Sequence, residues 1–66
     1  MARLRFEPTP AERARQRALL WDEQADDWED RAADAYAAGD FETEEACRAV
    51  AQAVREAARK LRARAA

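Results

Sequence analysis

From Pro10 to its last residue the chain contains one helix-breaking position, Gly39, which is also its only glycine. Pro8 and Pro10 are the only prolines and both stand near the start. Glycine and proline are the strongest local punctuators of a chain, so two long uninterrupted segments joined at Gly39 leave little besides a pair of helices. The sequence predicts helix 1 over about 10–38, a turn at 39–40 and helix 2 over about 41–64. Residues 9–66 form the helical hairpin, and 1–8 an extended N-terminal arm. In that arm Arg3, Leu4, Arg5, Phe6 and Glu7 alternate polar and apolar, too short a run to stand as a strand. The prolines keep it extended, and Leu4 and Phe6 are placed to clamp the bundle end.

The boundaries carry their own chemistry. Thr9-Pro10-Ala11-Glu12 combines an N-cap hydroxyl, a proline at the first helical position and the glutamate of a capping box. Gly39 suits the left-handed position after a helix, and Asp40 can cap the next one. Glu42, Glu44 and Glu45 then complement the positive end of helix 2.

Helix 1 carries a heptad. Ala14, Trp21, Trp28 and Ala35 recur every seven residues, interleaved with Ala11, Ala18, Ala25 and Ala32. Helix 2 has a stripe of Cys47, Val50, Val54, Ala57 and Leu61, widened by Ala46, Ala51, Ala53 and Ala58. At about 1.5 Å per residue the helices measure roughly 43 and 36 Å, and so tight a turn lays them side by side, antiparallel. Alanines let the backbones approach, and the tryptophans fill what remains. The apolar arc of helix 2 is wider than one neighbour can cover, and Leu19, Leu20, Ala33 and Tyr36 lie off the seam of helix 1. Four helices can bury what two cannot. The residues expected at the core or dimer seam are therefore Ala14, Ala18, Trp21, Ala25, Trp28, Ala32, Ala35, Cys47, Val50, Val54, Ala57 and Leu61.

Charge is sorted along the chain. Residues 22–45 hold eleven acids against Arg31 alone, 1–21 hold five arginines against two acids, and 46–66 hold six bases against Glu56. The local sums, +3 − 10 + 5, recover the net charge of −2. Asp22, Asp26, Asp30 and Asp34 form an i,i+4 ladder of like charges, each pair costing a few tenths of a kcal/mol. A hairpin is expected to set like charges across from each other, basic at the open pole and acidic at the loop. An antiparallel second copy reverses that, with charges choosing orientation and Trp, Val and Leu supplying affinity.

A 66-residue chain rarely builds a core worth more than roughly 3–5 kcal/mol without a disulfide framework, a metal or a partner. One cysteine and no histidine exclude the first two, which leaves oligomerisation. Ser, His and Asn are all absent, so the usual nucleophile–base pairs cannot be assembled, and one glycine makes no phosphate loop. Cys47 follows Glu44, Glu45 and Ala46, the opposite of the electropositive setting a reactive thiolate needs. No enzymatic activity, cofactor or metal is expected. No apolar run approaches the length of a membrane span and no signal-peptide core follows Met1, so the expected location is the cytoplasm.

Two resemblances bear on the fold. Trp28, Tyr36, Gly39, Asp40 and Phe41 are similar to the turn of a tetratricopeptide repeat, although Glu44 stands where that repeat has a small residue. Over Thr9 to Arg64 the architecture resembles the Rop type of plasmid RNA-binding protein, a helical hairpin that pairs antiparallel into a four-helix bundle. That resemblance implies RNA contacts from an exposed helix face, whereas the faces of helix 1 here are largely acidic.

The expected protein is an all-α antiparallel hairpin that self-associates into an antiparallel homodimeric four-helix bundle. It would act as a non-enzymatic interaction or regulatory module whose first partner is itself. Two other readings stay open. Arg3, Arg5, Arg13, Arg15, Arg17, Arg55, Arg59, Lys60, Arg62 and Arg64 could contact nucleic acid or an acidic partner, as in an accessory nucleic-acid-binding protein. Asp22, Asp26, Asp30 and Asp34 could instead serve an acidic inhibitor or adaptor that occupies a basic protein surface.

Overall fold

A computed structural model describes residues 7–65. The expected arm residues Arg3, Leu4, Arg5 and Phe6 lie outside the described residues, while Glu7 and Pro8 are exposed and non-helical. Among the described residues the protein is two α-helices, α1 (Pro10–Ala37) and α2 (Phe41–Ala65), packed against each other as a hairpin.

Local chemistry sets both ends of α1. The Glu12 backbone N–H donates to Thr9 Oγ1 at 3.1 Å, and the Thr9 N–H donates back to Glu12 Oε1 at 3.1 Å. Two donors that an α-helix leaves without partners are thereby satisfied. The Thr9 backbone N–H, helped by its hydroxyl, holds the Glu12 carboxyl below its ordinary range. At the other end Gly39 adopts φ +76°. The Asp40 N–H donates to the Ala35 carbonyl at 2.8 Å and the Gly39 N–H to that of Tyr36 at 3.0 Å, which together form a Schellman motif. Asp40 then caps α2, its Oδ1 accepting from the Thr43 N–H at 3.1 Å, and hydrogen bonding from Thr43 holds its carboxyl below the ordinary range too.

The seam follows a 3–4 spacing on both helices. Ala11, Ala14, Ala18, Trp21, Ala25, Trp28, Ala32 and Ala35 on α1, and Glu44, Cys47, Ala51, Val54, Ala58, Leu61 and Ala65 on α2, are each buried or half-buried. Beyond these two rows only Asp22, Arg55 and Ala57 among the described residues are even half-buried. The buried set is Ala18, Ala25, Ala32, Ala35, Cys47, Ala51 and Ala58. Small side chains meet where the backbones are closest, which moves the α2 seam one residue from part of the expected stripe. Ala51 and Ala58 occupy it, while Val50 stays 37% exposed and Ala57 sits on its flank.

The expected facing of like charges across the hairpin fails along its middle. Arg55 donates to Asp26 at 2.7 Å and also pairs with Glu29, and Arg62 pairs with Asp22. The cause is register. The tight turn sets position 62 near 22 and position 55 near 26–29, so bases in the second half of α2 meet the acids around the middle of α1. Segregated charge survives only at the two ends, with Asp30 and Asp34 towards the loop and Arg13, Arg15, Arg17 and Arg64 at the open end.

Candidate interaction surface

The hairpin has two unlike faces. On one, Trp21 and Gln24 from α1 and Val50, Ala53, Val54 and Ala57 from α2 line an apolar groove of about 340 Å³. It continues to the open end through Lys60, Leu61 and Arg64, then past Ala14 to Pro10, Arg13 and Arg17. Trp28 belongs to the same row of α1 as Trp21, and the Arg31 guanidinium stacks over its ring, 4.6 Å from the centroid.

The opposite face is polar and internally paired. Asp22, Gln52, Arg55, Glu56, Arg59 and Arg62 lie together there, with Leu19 beside Arg15, Arg62 and Ala65. Hydrogen bonding to Asp26, then to Glu29, raises the Arg55 guanidinium still further above neutrality. Arg59 pairs with Glu56, which raises the first and lowers the second. Arg48 pairs with Glu44 at 2.9 Å.

The sequence-derived sets are accordingly divided. Of the expected core or seam residues, Ala18, Ala25, Ala32, Ala35 and Cys47 are buried between the helices. Ala14, Trp21, Trp28, Val54, Ala57 and Leu61 are half-buried and Val50 is exposed, along or beside the groove. Of the bases, Arg55 and Arg62 bridge the helices and Arg59 is engaged within α2. Arg13, Arg17, Lys60 and Arg64 surround the open end of the groove, and Arg15 lies on the other face. Among the described residues none of these last five bases forms an ion pair. The aspartate ladder is split as well, since Asp22 and Asp26 are bridged to α2 while Asp30 and Asp34 remain exposed.

Sequence reasoning missed Gln24 as a groove residue, although it stands midway between the tryptophans. It also missed the contact of Tyr36 with Phe41 at the loop, edge to face with centroids 5.8 Å apart, although the two residues flank the turn. Chemically the groove offers aromatic and aliphatic surface rimmed by cations at one end. Among the described residues no group of three or more His, Cys, Asp or Glu side chains is placed to hold a metal ion. Nor is any helix among them long and apolar enough to cross a membrane. No protein family, curated protein or solved structure matches the chain.

Proposed function

We propose that the protein is a non-enzymatic helical interaction module that acts as a homodimer, two hairpins packing groove to groove as an antiparallel four-helix bundle. One observation carries the reading. Among the described residues the hairpin buries only alanines and Cys47, while Trp21, Trp28, Val54 and Leu61 are half-covered and Val50 is exposed. An apolar stripe of this kind along one face of a 7.5 kDa hairpin is characteristic of half a core.

Charge selects the orientation. Arg13, Arg17, Lys60 and Arg64 all rim one end of the groove. Two copies with loops at the same end would bring eight such cations together, whereas an antiparallel pair carries each set towards the other copy's acidic loop end. Regulation would follow from concentration and ionic strength, since the dimer forms by mass action and its orienting charges are screened by salt.

Trp28→Ala tests the reading. Sedimentation velocity should show dimerisation weakened at least about tenfold, and circular dichroism a parallel loss of helix. A Trp28→Ala protein that stays dimeric and fully helical would contradict the assignment of this face.

The unpaired bases at the open end favour one second reading, in which that end contacts nucleic acid. It predicts binding that falls by several powers of the salt concentration and disappears when Arg13, Arg17, Lys60 and Arg64 become Ala. Binding insensitive to salt or to these changes would remove it.

A further inference from the structure

The groove side of α1 is self-complementary about one residue, and we propose that α1 packs against α1 of the second copy with the dimer two-fold at Gln24. The inference rests on the homodimer reading above and fixes its register. Arg13 lines the groove side, and at heptad spacing the same row of α1 continues through Leu20, Asp27 and Asp34. The row therefore runs from base through apolar to acid. The neighbouring row holds Arg17, Gln24 and Arg31, and the tryptophan row holds Trp21 and Trp28.

A two-fold perpendicular to the helices sets α1 across from its own copy in the opposite direction. With the axis at Gln24, Arg13 and Asp34 stand eleven and ten residues to either side, so Arg13 of each copy meets Asp34 of the other. Trp21 and Trp28, three and four residues away, likewise exchange across the axis and stack on each other. Gln24, a groove residue able to donate and accept, meets its own mate. Neither Arg13 nor Asp34 has an ion-pair partner among the described residues. Within one chain they lie about 32 Å apart along the helix, so they cannot satisfy each other. The same register brings Arg17 towards Arg31 of the other copy. Arg31 lies over its own Trp28 and is bracketed by Asp27 and Asp34, which leaves that end of the face net acidic.

Mixing charge-reversed chains tests the register. Arg13→Asp homodimers oppose acid to acid and Asp34→Arg homodimers oppose base to base, so each alone should dimerise about tenfold more weakly at low salt. An equimolar mixture restores both pairs in the heterodimer and should recover the original affinity by sedimentation velocity. Gln24→Cys should also yield a disulfide-linked dimer on oxidation, because the axis places the two thiols together, while Cys47 is buried. If the unaltered protein is a dimer but the mixture is no tighter than its parts and Gln24→Cys does not crosslink, the register is wrong and the dimer stands. If the unaltered protein is a monomer, the homodimer reading falls and this inference falls with it.

Discussion

Gly39 is where one residue most plainly decides the fold. Its φ of +76° lies in the left-handed region, and nothing stands within 4 Å of where a Cβ would project. Gly39→Ala therefore meets no clash and isolates the backbone cost, about 1 kcal/mol. Thermal unfolding should shift down by about 5 °C for a chain of this size. Glu12 and Asp40 act at the two N-caps, and each carboxyl is held below its ordinary range by hydrogen bonds to Thr9 and Thr43 respectively. Because both values are lowered on folding, the stability they lend is complete only above the ordinary carboxylate range, at about pH 5.5, and drains away as pH falls through that range and the folded values. Glu12→Gln should flatten that acid-side decline in a pH series of thermal melts. An unchanged decline would show that the cap does not titrate with folding.

At the scale of the helix, local signals were legible and register was not. Thr9, Glu12, Gly39 and Asp40 act within five residues of themselves, so their roles could be read from the chain alone. The α1 heptad was equally open, because alanine and tryptophan alternate in it with no competing apolar row. In α2 the apolar arc is too broad for the spacing to say which column is innermost. Close approach of the backbones selected Ala51 and Ala58 and left Val50 at the groove. Two substitutions should separate these roles. Ala51→Val overfills the seam and should cost the hairpin about 1–3 kcal/mol in thermal or urea unfolding. Val50→Ala should leave hairpin packing nearly intact and weaken association instead. The same blindness to register hid the bridges from Arg55 and Arg62 to the α1 acids, which depend on residues 26 to 40 positions apart.

Taken as a whole, the molecule divides labour between its faces. The polar face is closed by its own ion pairs, and the groove face leaves tryptophan, valine and leucine half-covered with free cations at one end. A lone hairpin would keep that face in water, while an antiparallel pair buries it and meets each basic end with an acidic one. The measurement that bears most directly on this account is molar mass by sedimentation equilibrium at low and high salt. Two hairpins packed groove to groove give a dimer of about 15 kDa, twice the 7.5 kDa chain, that weakens as salt screens the orienting charges. A stable monomer at both ionic strengths would contradict it.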